Sequence, residues 1–418
     1  MKMKLKVIPN KNILMNSVTF SNEEIRTSFF FINRDFNIDK LVCDNIEITP
    51  KIVLEGLKGF NYMLNKVIIP EDTKSISIEY TGYLSGETGC CPYVRERITA
   101  DFSMLRWETF YYPFFCKNDG EDIYSYLSLK GECEVKLTVP LDYEVVTSEP
   151  LISKEVNRQE ILYTYVNHAG FRNNFCCTVA KYRLIYTDVG IFYLLNSCNQ
   201  EELEQVMLKA YNYMNEHFGN KNIDSNTIYA AIPDGLGSFV MKEAAVVYIQ
   251  ESTFNTIKNL SQIIHEVIHL GWNAKPDKND QRIRFFDEAF TCYFELRVMD
   301  YLIGEKYMLD KLINVYKRQI SSGKYKCVPI SEFGKFEYGD LSYTIGAIFL
   351  YELCKFLGES CFDQITTLFL LKYRNNEVTL KKFCDEYIEN ADEELKDKLK
   401  LFLERWLYSV DEYKKYLV

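Results

Sequence analysis

Short runs of alternating apolar and polar residues dominate the first 190 residues of the chain. The segments SISIEYTGYL and CEVKLTV alternate with a period of two, and turn-forming stretches such as EDTK and SGETG separate runs of this kind. Alternation places one face of a strand in a core and the other toward solvent. The pattern predicts an antiparallel β-sheet domain over residues 1–190.

The period changes after about residue 190. From Gln200 to Phe218 apolar residues recur every three or four positions, and Gly219 is a typical helix end. Two strand-like stretches follow, TIYAAIP and AAVVYI, with a glycine-rich turn between them, and beyond Thr253 the pattern is helical. We therefore predict an α+β fold with two domains, 1–190 and 191–418, the second mixed at first and then mainly helical.

The composition excludes some partners and indicates a compartment. The 418 residues carry a formal net charge of −10, which disfavours binding to a nucleic-acid backbone. No apolar run approaches the ~18 residues that cross a bilayer, and the amino-terminal segment lacks the apolar core of a signal peptide. The 13 cysteines have neither CxxC spacing nor the regularity of a disulfide framework. We therefore expect a cytoplasmic protein with reduced thiols.

The segment HEVIH, residues 265–269, carries the candidate chemistry. It lies in the helical stretch LSQIIHEVIHLGW, where positions i and i+4 share a face, so the imidazoles of His265 and His269 point the same way. That spacing suits two nitrogen ligands of one tetrahedral Zn²⁺. Glu266 would then lie near the reacting water without being a ligand. A coincidental pair on one helix face is the alternative, but the chain has only four histidines.

A third ligand should follow on a neighbouring helix. Eighteen residues separate His269 from Glu288, which lies in the helical segment RFFDEAFTCYFELRVMDYL. That separation leaves room for a loop and for a return helix that packs antiparallel to the first. The sequence therefore predicts one zinc ion per chain, held by His265, His269 and Glu288. Seven residues further on, Glu295 lies on the same helix face and could orient a ligand imidazole; an ordinary surface glutamate is the alternative.

These motifs resemble the aminopeptidase N family of gluzincin zinc peptidases. The phrase DEAFTCYFE is close to that family's consensus NEGFAxYxE, with Asp287 in place of the Asn and Ala289 in place of the Gly. The family also has a tyrosine in a phrase like YxKGA that opens a helix, and Tyr343 with Gly346 and Ala347 occupies that place. The resemblance implies that Tyr343 donates a hydrogen bond to the oxyanion. It further implies a thermolysin-like catalytic domain after an amino-terminal sheet domain.

The substrate-binding segment departs from the family pattern. Ordinary members carry Gly-x-Met-Glu-Asn before the zinc helix, where the backbone pairs with substrate and the Glu binds its α-amino group. This chain has Gly237, Ser238 and Phe239 followed by Val-Met-Lys and then Glu243. The glycine and the strand register are retained, whereas the amine-binding carboxylate is absent from its usual position. Glu243 could replace it from two positions later, on the same strand face but about 6–7 Å away.

The motifs predict a zinc metallopeptidase that acts on peptides, with Glu266 and Tyr343 as catalytic residues. Aminopeptidase-type chemistry is the first hypothesis. The second is an endopeptidase or a dedicated processing enzyme, since the amine anchor is not preserved. The third is a zinc-binding scaffold without activity, which is disfavoured because the three ligands and Glu266 are all present. The sequence predicts no oligomeric state.

Overall fold

The computed structural model describes residues 1–57, 63–84, 97–118, 122–123, 126, 129, 131–167, 175–196, 198, 200–219, 225–241, 244–272, 275–276, 285–303, 307–323, 326–333, 336–373 and 376–417. By packing, the chain divides into two compact units. The first comprises Met1–Ile185, Phe192–Ser197 and Tyr229–Glu251, and the second comprises Tyr186–Ile191, Cys198–Ile228 and Ser252–Val418. Strands dominate the first unit and helices the second, which confirms the predicted fold class.

The strands are numbered in chain order. They are β1 Lys2–Ile8, β2 Ile13–Ser21, β3 Phe29–Ile32, β4 Phe36–Cys43, β5 Ile46–Glu47, β6 Lys51–Gly56, β7 Met63–Ile68, β8 Ser75–Gly82, β9 Phe102–Leu105, β10 Cys133–Pro140, β11 Glu144–Thr147, β12 Leu151–Val156, β13 Glu160–Asn167, β14 Cys177–Ala180, β15 Arg183–Thr187, β16 Gly190–Leu194, β17 Ile228–Ile232, β18 Phe239–Met241, β19 Val246–Gln250, β20 Lys275–Pro276 and β21 Glu377–Val378.

An eight-stranded sheet forms the centre of the first unit, in the order β12-β13-β10-β1-β2-β8-β4-β5. Neighbouring strands are antiparallel except β1 and β10, which are parallel. The alternation read in the sequence appears directly in β10, where every second side chain is buried. Two three-stranded sheets, β11-β14-β9 and β3-β7-β6, complete this part. A fourth sheet has five strands in the order β15-β16-β17-β19-β18, and β20 and β21 form a two-stranded sheet.

The helices are likewise numbered in chain order. They are α1 Gln200–Phe218, α2 Ser261–Gly271, α3 Phe290–Ile303, α4 Tyr307–Ser321, α5 Ile345–Leu357, α6 Glu359–Tyr373, α7 Leu380–Asn390, α8 Lys396–Tyr408 and α9 Asp411–Lys414. A π-helical turn, Phe285–Ala289, leads into α3, and a 3₁₀ segment, Phe336–Tyr343, precedes α5. None of the helices that the structure describes is long and apolar enough to cross a membrane.

The packing units differ from the predicted boundary at residue 190. Strands β17, β18 and β19 follow that boundary in sequence, yet residues 229–251 pack with the first unit. The reason is hydrogen bonding, since β17 lies beside β16 in the five-stranded sheet. A change of sequence period marks where helices begin, but strands on either side of that change still join one sheet.

Candidate metal centre and active site

Helix α2 places the two histidines of the HEVIH segment on one face. The ring centroids of His265 and His269 are 5.0 Å apart. The helix ends where the Trp272 N–H donates to the Ile268 carbonyl. The buried Trp272 indole packs on Phe290 and its N–H donates to the Phe286 carbonyl. This contact joins the end of α2 to the segment that carries the third predicted ligand.

Glu288 lies in the π-helical turn, facing both imidazoles. Its Oε2 atom is 3.4 Å from Nε2 of His265 and 3.4 Å from Nε2 of His269. The same oxygen is buried and has no hydrogen-bond partner of acceptable geometry among the described residues. Single π turns in α-helices often occur at functional sites. Here the turn brings a carboxylate to the point where two ring nitrogens already converge.

The other ring nitrogens also face carboxylates. Oε2 of Glu295 is 3.0 Å from Nδ1 of His265, as expected for a residue that orients that ring. Oδ1 of Asp287 is 3.1 Å from Nδ1 of His269, and the Thr291 hydroxyl is 3.3 Å from the same nitrogen. A proton held on each Nδ1 leaves the Nε2 lone pair free to bind a metal. The one signal in the sequence for the role of Asp287 is its position next to Glu288.

The charges of this cluster favour a cation. Burial alone would lower the pKa of His269, but the carboxylates of Asp287 and Glu288 raise it to about 9. The pKa of His265 is likewise well above its usual value despite burial, through Cys292, Glu288 and Glu295. Burial acts to raise the pKa of Glu288, but the two imidazoles outweigh it and hold that pKa well below its usual value. Positive charge is therefore stabilised where the three side chains meet.

The three side chains fit a zinc ion. Two imidazole nitrogens and one carboxylate oxygen, all within 4.8 Å of one another, are the ligand set of many catalytic zinc sites. The buried Glu288 Oε2 atom, which receives no hydrogen bond from the described part of the chain, is an oxygen that a cation would satisfy.

Glu266 is half-buried on α2, between the two histidines in sequence. Burial raises its pKa above the ordinary value; His265 and His269 oppose this, and Glu288 adds to it. A carboxylate with a raised pKa is a better proton acceptor near neutral pH than an ordinary glutamate. The side chain is thus suited to move a proton at this site.

Tyr343 lies beside the same histidine. Its ring stacks on His265 with centroids 6.1 Å apart and an angle of 14° between the planes. The residue ends the 3₁₀ segment that precedes α5 and is only partly buried. The structure therefore brings together five of the predicted site residues with Tyr343: His265, Glu266, His269, Glu288 and Glu295.

Comparison with known families identifies this arrangement. The model of the peptidase family M1 domain matches residues 234–406. This range contains the three candidate zinc ligands, Glu266 and Tyr343. Residues 234–406 are therefore similar to the peptidase family M1 domain. The chain is accordingly a peptidase, a hydrolase of peptide bonds, and its M1 relatives imply zinc as the metal. The resemblance drawn from the sequence motifs is confirmed.

Solved structures of M1 peptidases share the fold. An M1 zinc metallopeptidase from Deinococcus radiodurans, a mutant bound to a Tyr-Ser-Ala substrate, has 15% identity and a TM-score of 0.63, over 98% of this chain and 93% of that chain. The M1 zinc metallopeptidase from the same organism has 15% identity and a TM-score of 0.63, and the match covers 97% of this chain and 93% of that chain. A two-domain M1 zinc metallopeptidase mutant bound to L-arginine has 15% identity and a TM-score of 0.63, with 98% of this chain and 93% of that chain covered. No curated protein matches the sequence.

The segment that precedes α2 in this peptidase includes β18, the edge strand of the five-stranded sheet. Phe239 begins β18, which is antiparallel to β19 and lies at the end of the strand order. The Phe239 ring stacks on Tyr248, with centroids 4.5 Å apart, and the Arg106 guanidinium lies 4.1 Å from its centroid. One side of the strand is thus anchored by β19 and by aromatic packing.

The other predicted substrate-binding residues flank this strand. Gly237 precedes it, and a side chain added there would meet no atom within 4 Å. The Ser238 hydroxyl accepts a hydrogen bond from the Gln250 N–H at 3.4 Å. Glu243, the predicted replacement for the amine anchor, lies outside the described residues.

Close packing between α5 and the π turn fixes the position of Tyr343 relative to Glu288. A Cβ atom added to Gly346 would lie 2.5 Å from the Cβ of Ala289. We expect Gly346→Ala to force these segments apart, lowering the free energy of unfolding by about 1–3 kcal/mol and reducing turnover. Thermal melts and peptide hydrolysis assays measure both effects.

The chain offers a matched control. Ala289→Gly removes the methyl group that Gly346→Ala would strike, so the double variant should regain most of the lost turnover. Its stability should recover only in part, because glycine costs about 1 kcal/mol in a helix. A double variant as inactive as Gly346→Ala would show that the clash is not the cause.

Proposed function

We propose that this chain is a zinc-dependent aminopeptidase, which removes residues from the free amino end of peptides. The observation that carries the proposal is the convergence of His265, His269 and Glu288 beside Glu266 within the M1 domain. The related structures with a bound tripeptide substrate and with a bound amino acid support an exopeptidase.

His265, His269 and Glu288 would hold one Zn²⁺, which when bound polarises the scissile carbonyl and acidifies water. Glu266 accepts a proton from the attacking water, whose oxygen forms the new bond to the carbonyl carbon. The Tyr343 hydroxyl donates a hydrogen bond to the oxyanion that develops on the former carbonyl oxygen. Glu266 then passes its proton to the leaving amine as the carbon–nitrogen bond breaks. Asp287 and Glu295 hold the imidazoles in orientation throughout.

Tyr343→Phe tests the oxyanion contact. We expect kcat to fall by about 10²–10³-fold, because the hydrogen bond forms only as negative charge develops on the oxygen. KM should change by less than about threefold, since the ground-state carbonyl gains little from the same contact. Steady-state kinetics on a single peptide separates the two constants. A rise in KM with an unchanged kcat would mean that Tyr343 only binds substrate.

We further propose that Gly237, Ser238 and Phe239 bind the extended substrate through the free edge of β18, and that Glu243 binds its α-amino group. The position of β18 at the end of the sheet supports backbone pairing with a peptide. One observation favours a different specificity: Val240 or Met241, depending on a one-residue shift and neutral in either case, occupies the place where the family carries its amine-binding carboxylate. An endopeptidase or a processing enzyme is therefore the second candidate function.

A mass-spectrometric time course on a peptide library distinguishes the two. Each peptide is supplied both with a free and with an acetylated amino end, and Glu266→Gln serves as the inactive control. Stepwise loss of single residues from free peptides alone supports the aminopeptidase. Equal cleavage of acetylated peptides at internal bonds would overturn it in favour of the endopeptidase. Absence of cleavage that depends on Glu266 would overturn both.

The state of the cysteines supports a reducing compartment, and we propose a cytoplasmic location. The eleven cysteines in the described part of the chain are all free thiols. Structural disulfides form in oxidising compartments, and free thiols persist where glutathione and thioredoxin keep them reduced. Cell fractionation with antibody detection tests this location.

A further inference from the structure

Strand β6 is an edge strand with exposed apolar side chains. Among the described residues β6 pairs only with β7, so it forms the edge of the three-stranded sheet β3-β7-β6. Three consecutive apolar side chains at its centre are exposed: Ile52 by 43%, Val53 by 45% and Leu54 by 58%. An exposed apolar edge strand presents unpaired backbone groups to any strand that fits it.

One face of the sheet is mainly apolar up to this edge, with Asn65 as a polar member. Ile52 lies opposite Val67 of β7, and Leu54 lies opposite Asn65. On the same face, the next strand contributes the buried Phe30. Side chains on this face are therefore buried at β3 and β7 and become exposed at β6, where Ile52 and Leu54 lie. A further strand added beside β6 would continue the face and bury both side chains.

The sequence of β6 is complementary to itself in an antiparallel arrangement. When two copies of KIVLE are aligned about Val53, Lys51 of each copy lies opposite Glu55 of the other. Ile52 then lies opposite Leu54, and Val53 lies opposite itself. Directly opposed residues of antiparallel strands share a face, so both charge pairs form on one side and both apolar pairs on the other.

The charges needed for this pairing are in place. Glu55 accepts a hydrogen bond from Lys66 at 2.8 Å on the sheet's other face and a second from Asn118 at 2.8 Å, and both contacts lower its pKa. Lys51 is exposed and makes no ion pair within the described residues. A second copy would therefore supply an anion for Lys51 and, beside Lys66, a further cation for Glu55 at each end of the paired segment.

Another exposed edge of this unit is less suited to self-pairing. Strand β12, LISKEV, ends the eight-stranded sheet and exposes Leu151, Ile152 and Val156. Its antiparallel self-alignment about the centre would place Ile152 opposite Glu155 and Ser153 opposite Lys154. A shifted register would place Lys154 opposite Glu155, but Lys154 already pairs with Glu144 at 2.7 Å, and the pairing of β12 with β13 is irregular between Leu151 and Ser153. Strand β12 is therefore a less regular edge, and its lysine already has a partner within the chain.

We propose that two copies of this chain associate through their β6 strands, which pair antiparallel about Val53 and join two three-stranded sheets into one of six strands. Five paired residues a side bury less surface than a standard interface, so the dimer is weak, with a dissociation constant on the order of 10–100 μM. The interface is isologous, and each half supplies the same residues to the other.

Sedimentation velocity on the zinc-loaded full chain tests this proposal, over about 1 to 300 μM. The wild-type sedimentation coefficient should rise across this range. Lys51→Glu places two glutamates opposite each other at both ends and should raise the dissociation constant about tenfold or more. Lys51→Glu combined with Glu55→Gln removes that repulsion while the amide oxygen still accepts from Lys66, and should recover to within about threefold of the wild type.

Lys11→Glu makes the same charge change at an exposed lysine outside β6 and should associate like the wild type. Hydrogen exchange locates the contact: amides of residues 51–56 should exchange more slowly at high than at low protein concentration, and not in Lys51→Glu. A wild-type protein that stays monomeric at the highest concentration would overturn the proposal. So would normal association of Lys51→Glu, or concentration-dependent protection at β12 instead of β6.

Discussion

Glu266→Gln should lose nearly all turnover while it retains zinc. The amide is close to the carboxylate in size but cannot accept the proton of the attacking water, so the variant loses general base catalysis and the proton supply to the leaving amine. We expect kcat to fall by about 10³-fold or more, equivalent to about 4 kcal/mol in the activation free energy. Kinetics on a free peptide and metal analysis of the same sample measure the two properties together.

The reason to expect zinc retention is geometric. The oxygen that faces both Nε2 atoms belongs to Glu288, and the carboxylates at the two Nδ1 atoms belong to Asp287 and Glu295. None of these contacts involves Glu266. Glu216→Gln makes the same chemical change at an exposed position of α1 and serves as the control, with wild-type activity expected. Full turnover in Glu266→Gln would refute its assignment as general base.

Much of this site could be predicted because local sequence period fixes it. A helix with histidines at i and i+4 presents both rings to one side wherever the helix lies, and α2 does so. Likewise the period from Gln200 to Phe218 predicts a helix with the same bounds as α1. The spacing to Glu288 predicted a return helix, and α3 with its π turn carries that residue beside both rings.

Other features depend on contacts that no local pattern encodes. The π turn at Phe285–Ala289 adds one residue to a helical turn, which apolar periodicity does not reveal. The contact between Asp287 and His269 is made by a residue of that turn. In the same way, the pairing of β17 with β16 is a long-range choice, which places residues 229–251 with the first unit.

The exposure of β6 is another feature that the local sequence pattern does not predict. The run KIVLEG reads as an ordinary half-buried strand, since three apolar residues in a row are common in sheets. Only the strand order shows that, among the described residues, β6 has a neighbour on one side alone, and only the folded structure shows that its apolar residues are exposed. The self-complementary charges of Lys51 and Glu55 become meaningful once that exposure is known.

Glu288→Gln should abolish tight zinc binding, and with it activity. The substitution removes the negative charge that lies 3.4 Å from both Nε2 atoms and leaves a neutral amide oxygen, a much weaker ligand. We expect zinc affinity to fall on the order of 10³-fold, which is more than the 10–100-fold typical of residues that only orient a ligand. Chelator competition measures the affinity directly.

Thermal unfolding with and without zinc then separates the roles of the two glutamates without any assay of activity. A ligand at 100 times its dissociation constant stabilises the folded state by about 2.7 kcal/mol. At one fixed zinc concentration the wild type and Glu266→Gln should therefore both gain in melting temperature, whereas Glu288→Gln should gain almost nothing. Equal gains in all three proteins would place the metal away from Glu288. A gain lost in Glu266→Gln alone would make Glu266 the ligand, and the proposed division between metal binding and proton transfer would be wrong.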